Sequence, residues 1–292
     1  MEALRRRIEA QVLSLSGLAL GQIDYEHPIG DKGFFGPDSM PWEVHRDFTC
    51  MLVGGVAALL LQMLHPLALA GVWDHSNFRQ DMLGRLRRTG QFVAGTTFGP
   101  SASVDWLLKR VRQIHQGVNG ITTDGQPYAA SDPALLTWVH VAEVSCFLAS
   151  YRRYCNPHLS VAEQDRYYAE MARVAEGLGA TNVPTSCLAV ADYLTAMRPQ
   201  LRCDERTVEV WQLLRDAPAP SRISVPIAHL FRLAGIDLLP DWARTQLHLQ
   251  LGAWQRSLIR SGVHTLAPLL RWAVRDGAAQ RARRRMGLPT RD

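Results

Sequence analysis

Hydrophobic residues recur at helical spacing along most of the chain, which predicts an all-α protein. In Val104–Val118 the apolar positions lie three and four residues apart, as in a helix with one buried face. Pro133 after Asp132 is typical of a helix start, and Ser160 with Glu163 forms a capping-box pattern. The predicted helices cover residues 2–18, 42–64, 104–118, 134–154, 161–178, 184–197, 204–214, 224–233, 241–261 and 265–275.

A few segments interrupt this helical pattern. Residues 24–41 (DYEHPIGDKGFFGPDSMP) have loop composition, and the helix over 42–64 should break or bend at His65-Pro66, because proline disfavours a continued helix. Residues 91–97 (QFVAGTT) are the only strand candidate. The weakest joint is 216–221 (DAPAPS), which equally suits a tight helix–helix connection.

No internal repeat or long linker divides the chain, so a single domain is expected. We place an N-terminal helix and loop at residues 1–40, the helical domain at 41–275 and a basic tail at 276–292. The run QRARRR at 280–285 is interpreted as a solvated terminus.

The apolar segment Phe48–Trp73 has no formal charge and is long enough to span a membrane. Gln62, His65 and Pro66 interrupt it, which favours a buried core helix and no stable membrane span. The charged start MEALRRRIEA lacks the apolar core of a secretory signal. We therefore expect a cytoplasmic protein, with peripheral membrane association through Phe48–Trp73 or the amphipathic N-terminus as an open alternative.

Composition narrows the protein class. The chain of 292 residues is 47% hydrophobic and 20% charged, which excludes a disordered chain and allows a sizeable core. Five scattered cysteines without a C-x-x-C pair suggest neither a disulfide scaffold nor a thiolate zinc site. The net charge is +5, yet only Lys32 and Lys109 among 32 basic residues are lysines. GC-rich codon usage alone produces such a bias, so we expect no nucleic-acid partner.

Arg85, Arg88 and Thr89 form the first candidate site. On a helix they lie at i, i+3 and i+4 on one face, whereas Arg87 points elsewhere. Two guanidinium groups beside a hydroxyl suit a carboxylate, a propionate or a developing oxyanion. A solvated basic face is the alternative.

Histidines on apolar helices are the second kind of candidate. His115 stands at the edge of the apolar stripe of 104–118, where it could ligate iron or simply be a hydrogen-bonded core residue. His140 precedes Glu143 by three residues, an H-x-x-E arrangement that also occurs in diiron bundles. A diiron site requires a second E-x-x-H, and the downstream glutamates do not provide one; they are Glu163, Glu170 and Glu176. His65, before Pro66, is more consistent with a helix-break residue. The signature sequences of hydrolases, zincins, NTPases and dinucleotide-binding proteins are missing.

An ordered series of short motifs over roughly residues 40–270 resembles the DUF2236 family, which includes the latex-clearing rubber oxygenases and the MpaB-type oxygenases. The motifs are W-x-V-x-x-D (42–47), L-H-P (64–66), G-V-x-x-H-S-x-F (71–78), R-L-x-R-T (85–89), V-R-x-I-H-x-x-V (111–118), G-x-x-Y-x-A-x-D-P (125–133) and L-x-W-V-H (136–140). Each motif is weak alone, and their order is specific.

The resemblance implies an all-α, globin-like helical fold that encloses a haem b pocket. His115 corresponds to the proximal iron ligand, while Arg85, Arg88 and Thr89 match the distal R-x-x-K-T. Because Arg88 replaces the lysine and cannot deprotonate, it cannot be a second iron ligand. His140 would contact the proximal side or a propionate.

From this resemblance we expect a haem-dependent oxygenase that uses dioxygen on a small apolar, terpenoid-like or aromatic substrate. Rubber cleavage is not expected, since no carboxylate between His65 and Asp74 offers the acid/base of rubber oxygenases. The alternative is a non-catalytic helical protein, a sensor or carrier, that binds haem or a hydrophobic ligand.

Overall fold

The computed structural model describes residues 1–219, 221 and 224–289, and this part of the chain is built almost entirely from α-helices. The helices are α1 (Glu2–Leu15), α2 (Met40–His45), α3 (Phe48–Gln62), α4 (Pro66–His75), α5 (Met82–Phe98), α6 (Ser101–Gln116), α7 (Pro133–Tyr154), α8 (Val161–Leu178), α9 (Cys187–Met197), α10 (Glu205–Asp216), α11 (Val225–Leu238), α12 (Asp241–Gln246), α13 (Ala253–Ala273) and α14 (Ala278–Arg285). Short 3-10 turns follow α1 and α9 at Gly17–Leu20 and Arg198–Gln200. The all-α class is confirmed, while the globin-like haem pocket stays a prediction.

Helix α3 lies at the centre of the fold, between α7 and α11. Glycines permit this close packing. A Cβ on Gly54 would lie 2.8 Å from the Phe147 ring of α7, and a Cβ on Gly235 of α11 would lie 2.4 Å from Val56. The two glycines therefore set how closely the central helices approach one another.

The helix predicted over 42–64 is two helices, α2 and α3, because Asp47 interrupts it. The Asp47 carboxylate accepts a hydrogen bond of 2.8 Å from the Cys50 amide and so caps α3. His65 caps α4 in the same way through the Leu67 amide. Helices α3 and α4 meet at 103°, as the His65-Pro66 pattern predicted.

The strand prediction for residues 91–97 is wrong, since these residues form the second half of α5. The hydroxyls of Thr96 and Thr97 donate to carbonyls one turn earlier, which satisfies their polar groups inside a helix. The described residues instead contain a small antiparallel hairpin, β1 (Asn119–Ile121) and β2 (Pro127–Ala129). It lies on α4, where the Tyr128 hydroxyl donates to Asp74 at 2.6 Å.

The C-terminal segment is folded back onto the domain rather than solvated. Arg285 is completely buried in α14, and its guanidinium donates to the Tyr25 and Asp31 carbonyls. The solvated-terminus interpretation is therefore wrong for this residue. Pro220 of the predicted joint and residues 290–292 of the predicted tail lie outside the described residues.

Two described segments have the composition of a membrane span. Helix α7 is long and apolar enough, but 72% of its apolar window is buried inside the fold. Helices α3 and α4 taken together are also long and apolar enough to span a membrane, although the chain bends sharply between them. Buried core helices of water-soluble proteins have the same properties.

Candidate functional site

A largely apolar cavity of about 560 Å³ lies between α1, α3, α5, α11 and α13. Its volume falls in the range of small-molecule sites. Helix α3 contributes lining residues at helical spacing, and α5 also contributes to the wall. The lining side chains and glycines from these two helices include Phe48, Met51, Leu52, Gly55, Leu59, Leu86, Gly90 and Val93.

Glu143 of α7 is a half-buried carboxyl group that lines this cavity. It forms no hydrogen bond or ion pair with any described residue. Burial raises its pKa from 4.5 to about 7. A carboxyl group that titrates near neutral pH within an apolar wall is able to hold or move a proton.

His45, also in the wall, is held rigidly by two hydrogen bonds. One ring nitrogen is 2.8 Å from the Thr97 hydroxyl, and the other is 2.8 Å from the Tyr167 hydroxyl. Burial lowers the pKa of His45 to about 3, so the ring is neutral at physiological pH. Both nitrogens are engaged, which makes His45 a polar part of the wall rather than a metal ligand.

Arg85 and Thr89 line the cavity. The Arg85 guanidinium donates to the Ser76 hydroxyl at 2.9 Å, and burial together with neighbouring Arg88 lowers its pKa. The Thr89 hydroxyl donates to the Arg85 carbonyl and is largely exposed. Arg87, which the sequence placed on another face, also lines the cavity and donates to the Ser14 carbonyl.

Arg88 lies outside the cavity lining. Its side chain is 52% exposed and donates to Asn77 at 3.2 Å and to Asp81 at 3.5 Å. The structure thus brings Arg85 and Thr89 to the cavity and leaves Arg88 at the surface.

His115 lies near the end of α6, apart from the residues that line the cavity. Its Nδ1 atom is buried and has no hydrogen-bond partner among the described residues. Burial lowers the pKa of the ring, which favours the neutral form. A neutral imidazole with an unused nitrogen has the donor chemistry of an iron ligand.

His140 is buried in α7 and is not among the cavity-lining residues. Burial lowers its pKa to about 4. It forms no hydrogen bond with Glu143, so the H-x-x-E spacing does not create a pair. Glu163 caps α8 and Glu170 accepts from the Met40 amide, so these glutamates are not gathered for a diiron site.

Several residues of the sequence motifs start helices rather than bind ligands. Asp47, His65 and Asp132 are the N-caps of α3, α4 and α7. Each accepts a hydrogen bond from an amide in the first turn, which replaces a bond that the helix cannot supply. These motif positions therefore define the fold around the cavity.

The fold and site define an all-α protein with an apolar, small-molecule cavity. Residues 42–266 match the family model described as ER-bound oxygenase mpaB/B'/Rubber oxygenase, catalytic domain, and the chain belongs to this family. It is an enzyme family of oxygenase catalytic domains, as the resemblance implied. Searches of curated proteins and of solved structures found no match to the chain.

Proposed function

We propose that this protein is a haem b-dependent oxygenase that oxidises a small apolar molecule with dioxygen. The observation that carries the proposal is the apolar cavity of about 560 Å³ in a chain of an oxygenase family. The surface of the cavity wall is mostly apolar, which favours a terpenoid-like or aromatic substrate over a charged one.

The chemistry of His115 fits a haem ligand. Its Nδ1 is buried and has no partner in the part of the chain that the structure describes, and the lowered pKa keeps a nitrogen lone pair available. His115 would hold the iron, and the bound haem would supply the activation of dioxygen. Helix α5 packs through Gly95 against Leu107 of α6, the helix that carries His115, and Arg85 and Thr89 of α5 line the cavity.

The chain itself binds and orients the substrate. The α3 stripe of Met51, Leu52 and Leu59 excludes water from the apolar part. Glu143 offers the substrate a hydrogen-bonding group in the cavity wall that holds a proton below about pH 7. Arg85 and Thr89 are the proposed polar groups beside the haem, while Arg88 would have to leave Asn77 and Asp81 to join them. His140 would contact the proximal side of the haem or a propionate.

Oxygen uptake tests the proposal. Protein reconstituted with haem, given a reductant and a terpenoid or aromatic substrate, should consume dioxygen and incorporate ¹⁸O from ¹⁸O₂ into the product. His115→Ala is the matched control and should show no substrate-dependent uptake. Uptake equal to autoxidation in the wild type, with every substrate of both classes, contradicts an oxygenase of this kind.

The second candidate is a carrier of hydrophobic ligands. The observation that favours it is that His115 lies apart from the cavity lining, so the cavity could bind its ligand without an iron. Such a protein should bind an apolar fluorescent probe equally with and without haem, and should leave the ligand unchanged under dioxygen.

A further inference from the structure

Two cysteines meet where the start of α3 lies against the end of α7. The Cys50 thiol donates to the Cys155 sulfur at 3.5 Å, although the residues are 105 positions apart in sequence. Cys50 is completely buried, while Cys155 is partly exposed. The sulfurs approach because α3 and α7 pack closely through Gly54.

An arginine of α13 completes the cluster. The Arg271 Nη2 donates to the Cys155 sulfur at 3.1 Å, and its Nε donates to Asp47 at 2.5 Å. The Cys155 sulfur therefore accepts from a thiol and from a guanidinium. Two donors, one of them cationic, stabilise negative charge on that sulfur.

A metal ion suits the cluster less well than thiol chemistry. Asp47, Cys50 and Cys155 place one donor atom each within 4.8 Å of one another. A structural zinc site requires four ligands. Here the Asp47 oxygens already accept from the Cys50 amide and from Arg271, and the guanidinium occupies the space beside Cys155.

We propose that Cys50 and Cys155 are a peroxide-sensitive pair that forms a reversible disulfide. The Cys155 thiolate attacks one oxygen of hydrogen peroxide, the O–O bond breaks, and Cys155 becomes a sulfenic acid as hydroxide leaves. The Cys50 sulfur then attacks the sulfenic sulfur, and the hydroxyl leaves as water with the thiol proton. Two thiols lose two electrons in total, and one peroxide is reduced to two waters.

The two cysteines are suited to different steps. Cys155 is reachable from solvent and carries the stabilised sulfur, so it reacts first. The hydrogen bond to Cys155, burial and nearby Asp47 raise the pKa of Cys50, which keeps it protonated and unreactive towards peroxide. Closing the bond requires the sulfurs to approach from 3.5 Å to about 2.05 Å, a movement within the reach of side-chain rotation and small helix shifts.

Mass spectrometry tests this pair directly on the full-length protein. Mild hydrogen peroxide followed by an alkylating reagent should leave Cys50 and Cys155 unalkylated, and digestion should yield one cross-linked peptide. Dithiothreitol should restore both thiols. The oxidised protein should also unfold at a higher temperature, because the cross-link constrains the unfolded chain.

Variants separate the two roles. Cys155→Ser should abolish the cross-link and the temperature shift, whereas Cys50→Ser should accumulate a sulfenic acid that dimedone traps at Cys155. Arg271→Gln should slow cross-linking several-fold. Cys146→Ser, a buried cysteine of α7, is the control and should behave as wild type.

Three results would overturn the proposal. The first is that peroxide oxidises other cysteines while Cys50 and Cys155 still react with the alkylating reagent. Another is a cross-link that persists in Cys155→Ser. The third is one equivalent of zinc in the purified protein that is lost in Cys155→Ser, which would assign the cluster to a metal. None of these outcomes depends on oxygenase activity.

Discussion

Glu143 should make the stability of the protein fall as pH rises through neutrality. Its pKa is 4.5 as an ordinary glutamate and about 7 in the fold. Between these values the unfolded chain has released the proton while the folded chain still holds it. The contribution of Glu143 to the unfolding free energy is therefore fully present below pH 4.5 and is lost as pH rises through 7.

The size of this effect follows from the two pKa values. Integrating proton binding from pH 5 to pH 8 gives a loss of about 2.5 kcal/mol of unfolding free energy, since each pKa unit corresponds to ~1.4 kcal/mol. Glu143→Gln carries no titrating group and should lack this loss. The variant should therefore gain stability relative to wild type as pH rises.

Urea unfolding of wild type and Glu143→Gln at several pH values from 5 to 8 measures the difference. Glu163→Gln is the control: Glu163 is exposed, and hydrogen bonds from Ser160 lower its pKa, so its variant should retain the wild-type loss above pH 6. Parallel profiles for wild type and Glu143→Gln would refute the assignment of a raised pKa to Glu143. If wild type and Glu143→Gln lose unfolding free energy equally with pH, Glu143 can no longer be regarded as a protonated group in the cavity.

Three further substitutions test a buried charge cluster, the packing of the central helices and the cavity. Asp237→Asn should cost roughly 3 kcal/mol in urea unfolding at pH 7, because three arginines bond to this completely buried carboxylate. Burial opposes ionisation of Asp237, but Arg260 and Arg256 hold its pKa below 3.8. The difference in unfolding free energy between wild type and Asp237→Asn should therefore become smaller as pH falls below 3.8. Gly54→Ala should destabilise by about 1–3 kcal/mol, since its Cβ would lie 2.8 Å from a Phe147 ring atom; an unchanged melting temperature contradicts the close packing of α3 and α7. Gly55→Leu should weaken binding of an apolar fluorescent probe at least tenfold without unfolding the protein, because Gly55 lines the cavity and a Cβ there would lie 3.9 Å from the Phe147 ring. Gly55→Ala is the control and should bind the probe like wild type.

Helix positions were largely predictable because their signals are local. The capping pattern of Ser160 with Glu163 begins α8, and Asp132 with Pro133 begins α7, as expected. The segment at 91–97 misled because β-branched threonines favour strands in isolation, while packing of α5 in the fold overrides that preference. The hairpin at β1 and β2 has only three residues per strand, too few for a visible alternation.

The site was less predictable because it depends on which helix faces meet. Arg85 and Thr89 were identified from their spacing, and they line the cavity. Glu143 was noted only as a partner of His140, and its position in an apolar wall depends on the packing of α7 against α3. Nothing in the sequence around His45 distinguishes it from any other histidine in an apolar helix, so its place in the cavity wall could not be predicted. The burial of Arg285 likewise needs the contacts with residues 25 and 31, which are more than 250 positions away.

A haem titration followed by visible absorption tests the central claim most directly. The wild-type protein should bind one equivalent of haem and develop a Soret band, and His115→Ala should lose or shift that band while keeping the wild-type far-UV circular dichroism. A wild type that binds no haem, or a His115→Ala protein with an unchanged Soret band, would contradict His115 as the iron ligand and the haem-dependent function built on it.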